Sequence, residues 1–375
     1  MTEVLLSDIC ELIVDCPHST AVDEGKGYPL VRTPNIGKGR LIYQGMHRVS
    51  EDVYLQRNKR ATPQEDDLIF AREATAGNVA LIQEGEKVCL GQRTVLIRPN
   101  KALVNPAFLT YFLLAPKQQY NLLSTANGAT VAHVNLPTIR NLKLELPNLD
   151  VQRRIADVLS RYYALIENYQ RQIKLLEEAA QRLYKEWFVD LRFPGHQSTP
   201  IINNLPQGWE KKKITDILDI KYGKDHKKLK DGPIPVYGTG GIMRYANSSL
   251  YCGESVLIPR KGSLNNIMLV NGSFWTIDTM FYSVPKTENA AKIAYFYLKD
   301  LDMYSFNIGA AVPSMTVNIL SGMEISLPTD EIRHEFECRV DKYYQQIALL
   351  ENQIRNLSEA RDRLLPKLMS AEIDV

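Results

Sequence analysis

Hydrophobic residues recur at alternating steps of three and four along two stretches of the chain, the spacing of a helix that packs lengthwise on another helix. The first seam comprises Ile155, Leu159, Tyr162, Ile166, Tyr169, Ile173, Leu176, Ala180, Leu183 and Trp187. The second seam comprises Phe336, Val340, Tyr343, Ile347, Leu350, Ile354, Leu357, Arg361, Leu364 and Leu368. The pattern therefore predicts two long helices, each of which needs a partner to cover its seam.

The second seam is a copy of the first, because adding 181 to each residue number of the first gives the second. Identities extend beyond the seam: Leu146-Pro147 corresponds to Leu327-Pro328, and Gln172-Ile173 corresponds to Gln353-Ile354. A shared register with identities indicates an internal repeat, and the alternative is a pair of unrelated amphipathic core helices. If the two helices pair in antiparallel fashion, the chain acquires a pseudo-twofold axis.

The segments that precede the two helices have the pattern of short strands separated by glycine, proline and asparagine. The clearest strands are expected at 68–70, 79–82 and 94–97, and a helix at about 106–123. This mixture predicts an α+β fold with two similar domains, separated by two long helices that form an antiparallel coiled coil. The expected boundaries are a first domain at 1–147, a helix at 148–189, a linker at 190–205, a second domain at 206–328, a helix at 329–369 and a tail at 370–375.

The composition is that of a globular protein of 375 residues, a length that accommodates two or three domains. The sequence has no run of about 18 apolar residues and no signal-like start, so neither a membrane span nor export is expected. Five scattered cysteines indicate reduced thiols and a cytoplasmic protein. The net charge is only +2, so a surface for nucleic acid must come from local clusters of basic residues.

No combination of residues in the sequence indicates catalysis. The Gly-Thr-Gly-Gly stretch at 238–241 lacks the lysine of a phosphate loop, and a tight turn is its simpler use. An Asn/Asp-Pro-Pro-Tyr/Phe motif, which a DNA methyltransferase would need, is absent. Asp66, Asp67 and Glu73 loosely resemble a nuclease metal site, but acidic residues beside a strand are usually solvated. We therefore expect this chain to bind no metal and no cofactor.

Basic residues cluster in both predicted domains, on or beside loops that contain glycine. Between Lys211 and Lys230 there are eight lysines and three aspartates, a run that attracts phosphate or else forms a solvated face. Arg72 and Arg260 each follow a predicted strand and are assigned to a base-reading face, with an internal carboxylate as the alternative partner. The candidate DNA-binding residues are Lys38, Arg40, Arg57, Lys59, Arg60, Arg72, Gln92, Arg93, Lys224, Lys227, Lys228, Lys230, Thr239, Arg244, Arg260 and Lys261.

Several motifs make the chain resemble the specificity (S) subunits of type I restriction-modification enzymes over essentially its whole length. They are Leu-Pro-Asn-Leu-Asp-Val-Gln-Arg-Arg-Ile at 146–155, Lys-Glu-Trp-Phe-Val-Asp at 185–190, Leu-Pro-Gln-Gly-Trp at 205–209, Tyr-Gly-Thr-Gly-Gly at 237–241 and Leu-Leu-Pro-Lys-Leu-Met-Ser at 364–370. The second helix departs from the family pattern, because Arg333-His334-Glu335 replaces the expected Gln-Arg-Arg.

The resemblance implies two target-recognition domains, each reading one half of a bipartite site in double-stranded DNA, spaced by the antiparallel helices. It also implies that the helices dock methyltransferase subunits, two of them, and that restriction subunits join the complex. S-adenosylmethionine, ATP and Mg²⁺ would then belong to the partners, and this chain would be non-catalytic. The alternatives are a coiled-coil scaffold protein with two binding domains, and the recognition subunit of a type IIB-like restriction enzyme.

Overall fold

The structure is a computed structural model that describes residues 2–124, 133–309, 312–370 and 372–373. The chain forms two compact units: unit 1 is Met1–Arg171 with Glu351–Val375, and unit 2 is Gln172–Leu350. Both divisions fall inside the long helices, so each unit combines one globule with half of each helix. Of the expected tail, residues 371, 374 and 375 lie outside the described residues.

The globule of unit 1 combines small sheets with short helices. Its elements, with the long helix that follows, are β1 (Thr2–Leu5), β2 (Cys10–Asp15), β3 (Tyr28–Val31), β4 (His47–Val49), α1 (Glu51–Arg57), β5 (Leu68–Ala71), β6 (Val79–Leu81), β7 (Cys89–Leu90), β8 (Thr94–Pro99), α2 (Pro106–Leu114), α3 (Pro116–Ser124), α4 (Leu136–Arg140), β9 (Lys143–Leu146) and α5 (Leu149–Tyr184), which continues as a π-helical turn at Lys185–Val189. An antiparallel sheet has the order β2-β8-β5-β6, a second sheet the order β4-β3-β7, and β1 pairs with β9. The strands β5, β6 and β8 confirm the three strands expected from the sequence.

Unit 2 repeats this arrangement. Its elements after α5 are β10 (Ile201–Ile202), β11 (Leu205–Pro206), β12 (Glu210–Lys213), α6 (Ile214–Ile217), β13 (Leu218–Tyr222), β14 (Ile234–Gly238), β15 (Gly241–Ala246), β16 (Tyr251–Cys252), β17 (Ser255–Pro259), β18 (Met268–Val270), β19 (Ser273–Thr276), β20 (Met280–Pro285), α7 (Ala291–Asp300), α8 (Val317–Ser321), β21 (Glu324–Leu327) and the long helix α9 (Asp330–Met369). The sheets β13-β20-β17-β18 and β15-β14-β19-β16 correspond to the two sheets of unit 1. In both units the second sheet contains one parallel pair, β3 with β7 and β14 with β19. The α+β fold with two similar domains is therefore confirmed.

Two expectations about local structure need correction. The helix expected at 106–123 is two helices, because α2 ends at Leu114 and α3 begins at Pro116. Proline disfavours a helical conformation of the residue before it, and Ala115 is extended with ψ 145. The segment 190–205 was expected to be a linker, but it contains β10 and buries Phe193 against Trp209. None of the helices in the described ranges combines the length and apolarity that crossing a bilayer requires.

Each long helix begins directly after the last strand of its globule, and one side chain fixes the junction. Gln152, in the first turn of α5, donates to the carbonyl oxygen of Pro147 at 2.9 Å and accepts a backbone N–H of the globule at 2.9 Å. Arg333 of α9 stands 181 residues later and donates to the carbonyl oxygens of Pro328 at 2.6 Å and Glu288 at 3.2 Å. The arginine that departs from the family pattern thus keeps the contact of its glutamine counterpart with the proline carbonyl oxygen, and its second contact with the globule is a donated rather than an accepted hydrogen bond.

The seam residues of both long helices are buried or half-buried. In unit 1, Leu159 of α5 shares an apolar core with Leu365 and Leu368 of α9. In unit 2, the ring centre of Trp187 lies 5.8 Å from that of Phe336. The first half of α5 therefore shares a unit with the last half of α9, and the last half of α5 with the first half of α9, as expected of antiparallel helices.

In unit 1, an aromatic stack joins α2 to the long helices. Tyr111 of α2 stacks on Tyr163 of α5 with 4.7 Å between ring centres, and its hydroxyl lies 3.0 Å from the Ser160 hydroxyl. The guanidinium of Arg361 on α9 lies 4.8 Å from the centre of the Tyr163 ring. Burial raises the pKa of Tyr163 to about 12, so the phenol stays neutral at ordinary pH. Ala156 and Ser160 complete this neutral contact surface on α5.

In unit 2, an ion cluster joins α7 to α9 beside Tyr295, which is hydrogen-bonded to Tyr344, the residue that corresponds to Tyr163. Lys292 of α7 is 5% exposed and pairs with Glu254, with Glu337 and, at 2.9 Å, with Asp341. Glu337 and Asp341 belong to α9. They stand 181 residues after Ala156 and Ser160 of α5, respectively. Burial works to lower the pKa of Lys292, but Glu254 and Glu337 together hold it above its usual value. The lysine therefore stays charged, and α7 is joined to α9 by charge.

Candidate nucleic-acid interface

Several loops of unit 2 meet around Arg260, which directly follows β17. Its backbone N–H donates to the carbonyl oxygen of Thr279 at 2.8 Å, and its own carbonyl oxygen accepts from Met315 at 2.9 Å. The guanidinium donates to the carbonyl oxygen of Asp278 at 3.0 Å and lies 5.3 Å from the ring centre of Tyr222. Within the described residues no carboxylate pairs with it, so Arg260 retains donors for a phosphate or a base edge.

The hairpin of β14 and β15 ends next to this loop cluster in a two-residue turn. Asn266 donates from its side chain to the carbonyl oxygen of Thr239 in the turn at 2.7 Å. Met243 lies over Gly238 so closely that a Cβ on the glycine would meet its sulfur at 2.4 Å. Even so, Met243 is 56% exposed and Ile242 is 49% exposed. The tip of the hairpin is therefore held in place while it presents two large apolar side chains to solvent.

A basic loop between β13 and β14 runs beside the hairpin. At its start the N–H of Lys224 donates to the carbonyl oxygen of Thr276 at 2.9 Å, and near its end the N–H of Lys230 donates to the Asn247 side chain at 3.1 Å. Its exposed lysines are Lys224, Lys227, Lys228 and Lys230, and in the described ranges none of them pairs with a carboxylate. Four unpaired ammonium groups on one loop form a surface suited to phosphates.

The two remaining charged candidates of unit 2 differ in whether their positive charge is available to a ligand. Lys261 is exposed, and its backbone bridges to Ser314. Arg244 is half-buried and donates to the carboxylate of Asp231 at 2.7 Å and to the carbonyl oxygen of Leu229 at 3.1 Å. Arg244 therefore braces the basic loop and has its charge neutralised, whereas Lys261 adds to the positive surface.

Unit 1 builds the same loop framework around Arg72, which follows β5. The backbone N–H of Arg72 donates to the carbonyl oxygen of Arg93 at 2.9 Å. In unit 2 the backbone N–H of Arg260 donates in the same way to the carbonyl oxygen of Thr279. Asn78 donates from its side chain to the carbonyl oxygen of Ile36 at 2.9 Å, the contact that Asn266 makes in unit 2. The faint sequence match between the two loops thus corresponds to a shared pattern of hydrogen bonds.

The side chain of Arg72 is tied inside unit 1, and its assignment to a base-reading face needs correction. Arg72 is 9% exposed and donates to Asp15 Oδ2 at 2.8 Å, to the carbonyl oxygen of Val134 at 3.0 Å and to His133 Nε2 at 2.9 Å. A guanidinium cannot accept a hydrogen bond, so Nε2 of His133 is the acceptor and its Nδ1–H donates to Glu73 at 2.6 Å. The alternative of an internal carboxylate therefore describes Arg72.

Arg93 is the exposed cation of this site. It has a left-handed backbone with φ 63 and pairs with Glu73, while its side chain remains largely exposed. The neighbouring Gln92 donates to the carbonyl oxygen of His18 at 3.1 Å and to the hydroxyl of Thr20 at 2.8 Å. Gln92 therefore orders the loop beneath the site, and Arg93 is placed to contact a ligand above it.

A second basic site of unit 1 lies at the end of α1. Arg57 is buried and donates to the carbonyl oxygens of Leu90 at 2.6 Å and Ser19 at 3.0 Å. Lys59 is exposed, and Arg60 donates to a backbone carbonyl oxygen of β2 at 3.1 Å. These side chains border an open cavity of about 280 Å³. Arg57 therefore has a structural role, and Lys59 and Arg60 supply the accessible positive charge of this site.

The turn after β3 faces the long helix. A Cβ on Gly39 would lie 2.8 Å from the ring of Tyr163 on α5, so this position requires glycine. The guanidinium of Arg40 lies 6.0 Å from the same ring centre and 3.9 Å from the carboxylate of Glu167. Of the two candidates in this turn, Arg40 braces the globule on α5, and Lys38 alone is exposed.

The acidic residues that resemble a nuclease site are each engaged by a cation. Asp67 is buried and pairs with Arg98 at 2.7 Å, and Asp66 pairs with Lys101 at 2.6 Å. Glu73 lies in the separate Arg93 and His133 network. Among the described residues, no group of three or more acidic, histidine or cysteine side chains is arranged to hold a metal ion.

Sequence reasoning missed two features of the interface. His133 was not proposed, because its partners lie about 60 residues earlier in the chain. The exposed Ile242 and Met243 were also missed, although an apolar pair immediately after a glycine-rich turn is a readable signal.

Comparisons with known proteins match this architecture. A family model described as the type I restriction modification DNA specificity domain matches residues 1–178 and 206–359. The type I restriction enzyme MjaIX specificity subunit of Methanocaldococcus jannaschii is 24% identical, over 99% of this chain and 93% of that protein. The putative MjaX specificity subunit of the same organism is 28% identical over the same shares.

A solved structure also shares the fold. The S subunit of a type I restriction-modification system from M. genitalium aligns with a TM-score of 0.58 and 16% identity, over 98% of this chain and 95% of that one. At this level of identity the likeness concerns the fold alone.

Proposed function

The chain belongs to the type I restriction-modification DNA specificity family, and from this membership we propose that it reads the DNA target of such a complex. One observation carries the proposal: the chain repeats a single fold, and each copy holds the same loop framework with exposed cations on it or near it. In unit 2 these are Arg260 and the basic loop, and in unit 1 they are Arg93 with Lys59 and Arg60. Each unit would read one half of a bipartite site in double-stranded DNA.

We propose further that the long helices space the two recognition domains, 1–147 and 206–328, as an antiparallel coiled coil with a pseudo-twofold axis. Several large apolar side chains on the helices remain exposed, among them Leu165, Leu175 and Leu349. Exposed apolar residues along a helix suit a protein partner. Two methyltransferase subunits would dock there, and restriction subunits would join them. Catalysis, S-adenosylmethionine, ATP and Mg²⁺ would belong to these partners.

Exchange of one recognition domain tests the proposal. Residues 206–326 would be replaced by the equivalent segment of a relative with a different target, and the host methylome would be sequenced with the partner subunits present. We expect one half of the methylated motif to change and the other half to persist, because each unit reads its own half-site. A change in both halves would contradict the modular reading. A chain whose complex does not prefer its target to random duplex would instead favour a scaffold protein.

A further inference from the structure

We propose that the β14–β15 hairpin of unit 2 enters the major groove and that Ile242 and Met243 contact the C5-methyl group of a thymine. The inference rests on the proposed DNA-reading function and adds to it the chemical group that one module recognises. It would make one base pair in the half-site of unit 2 an A·T pair, oriented so that its thymine faces the hairpin tip.

The shape of the hairpin suits the major groove. That groove is about 12 Å wide and admits a two-stranded β-ribbon. Gly238 and Gly241 are opposite each other at the end of the ladder, so the turn consists of Thr239 and Gly240 alone. A turn of two small residues adds no width beyond the ribbon itself.

The charge around the tip selects DNA as the partner. A protein or lipid that covered Ile242 and Met243 would also have to accommodate the unpaired lysines of the basic loop and Lys261. Duplex DNA satisfies both requirements, because its phosphates flank the groove and its floor contains apolar atoms. In the major groove those apolar atoms are the thymine methyl groups.

The tip is ordered before it meets DNA. The Asn266 side chain holds the Thr239 carbonyl oxygen, and the N–H of Ile277 donates to the carbonyl oxygen of Tyr237 at 3.1 Å. The side chain of Met243 packs on Gly238, and no residue with a Cβ would fit at position 238. A preorganised contact loses little conformational freedom on binding, so it discriminates between bases better than a flexible loop would.

Unit 1 also presents an apolar pair after its glycine turn, because Ile42 and Tyr43 are each 45% exposed, but that turn is held against a long helix. The turn that corresponds to the hairpin tip, around Gly39, packs against the ring of Tyr163. Because that turn is held on α5 and the Tyr43 hydroxyl donates to Glu86, the thymine contact is inferred for the unit 2 hairpin, and the unit 1 half-site serves as an internal control.

The test replaces thymine by deoxyuridine at single positions of the established target and measures binding by the full chain with its methyltransferase partners. Loss of one buried methyl contact should weaken binding about fourfold. We expect this at one or two thymines of the unit 2 half-site and at none of the unit 1 half-site. In the Ile242→Ser variant the preference for thymine should shrink, and in Ile242→Ser/Met243→Ser thymine and deoxyuridine should bind equally well.

Ile201→Ser is the matched control, because Ile201 lies in another hairpin of unit 2 and is 58% exposed. It should keep the wild-type preference for thymine. The single Ile242→Ser variant guards against loss of folding, since Met243 alone packs on a glycine. Equal binding of every deoxyuridine duplex by the wild type, or a unit 2 half-site without an A·T pair, would overturn the inference. Absence of any preference for the target over random DNA would overturn the proposed function as well.

Discussion

The two equivalent arginines show how one side chain position acquires two roles. Among the residues that the structure describes, the side chain of Arg260 contacts a carbonyl oxygen and an aromatic ring, whereas that of Arg72 is bound to a carboxylate and a histidine. The first retains donors for a ligand, and the second uses its donors inside the globule. The base-reading groups of the two units are therefore expected to differ, even though the loops that carry them share a framework.

At this scale we predict a contrast between Lys227 and Arg260. Lys227→Ala should weaken binding to target and random DNA alike and lower the salt slope by about 0.9, because it removes one phosphate contact. Arg260→Ala should cost about 1 to 3 kcal/mol on the target alone, because it removes a base contact. Titrations at several salt concentrations measure both. Equal losses on both kinds of DNA for Arg260→Ala would assign it to phosphate or to structure.

The positions of these residues could be predicted from sequence, but their partners could not. Arg72 and Arg260 were identified because each follows an apolar strand and precedes a glycine-containing loop. What distinguishes them is Asp15 and His133, which reach Arg72 from 57 and 61 residues away. Local pattern carries no information about such distant contacts, so burial and ion pairing had to come from the structure.

Among the elements, the short helices α2 and α7 solve the same packing problem with opposite chemistry. A neutral aromatic stack joins α2 to α5, whereas a buried lysine joins α7 to carboxylates of α9. A buried ion cluster adds little net stability compared with apolar packing, but removal of one member leaves the others without a partner. The cluster therefore sets a strict requirement on which side chains meet at this contact.

We predict that Lys292→Met destabilises unit 2 by about 3 kcal/mol, because the largely buried Glu337 and the half-exposed Asp341 beside it would lose their cation. The triple variant Lys292→Met/Glu337→Ala/Asp341→Ser, which carries on α9 the residues of α5, should recover most of that loss. Trp187, Trp209 and Trp275 all lie in unit 2, so tryptophan fluorescence during denaturation reports this unit alone. A triple variant no more stable than Lys292→Met would contradict the explanation.

The long helices were the most predictable elements, because their heptad seam depends on periodicity within one segment. Their internal repeat also predicted the repeated fold. The break between α2 and α3 was missed, although Pro116 marked it, because the apolar pattern continues across the proline. The pairing of Lys292 with α9 was invisible in sequence, since the carboxylates fall outside the seam.

At the scale of the whole molecule, the proposed function requires that the two recognition domains be held at a fixed spacing on DNA. The junctions of both domains with their helices are short and are fixed by Gln152 and Arg333. A rigid junction transmits the length of the helix to the position of the domain. The helices are therefore expected to set the gap between the two half-sites.

We predict that four residues inserted after Gln172 and after its equivalent Gln353 lengthen the gap by one or two base pairs. Four residues add roughly 6 Å of helix, and B-DNA rises about 3.4 Å per base pair. Two inserted residues would instead rotate the seam by about 200° and should abolish assembly. Sequencing of the methylated motif measures the gap. An unchanged gap with full activity would contradict the role as a spacer.

The ion cluster between α7 and α9 also bears on whether the two recognition domains could exchange positions in the chain. Because the two recognition domains share one fold, a domain from the first position could in principle be placed in the second position. A first-position domain moved to the second position would bring Phe108, which aligns with Lys292 when Tyr111 is matched to Tyr295, against Glu337 and Asp341. The largely buried Glu337 and the half-exposed Asp341 would then lack a cation, and the hybrid would be less stable. We therefore expect a recognition domain to be stable only in its own position, unless the first turns of the helix that follows it are transferred with it.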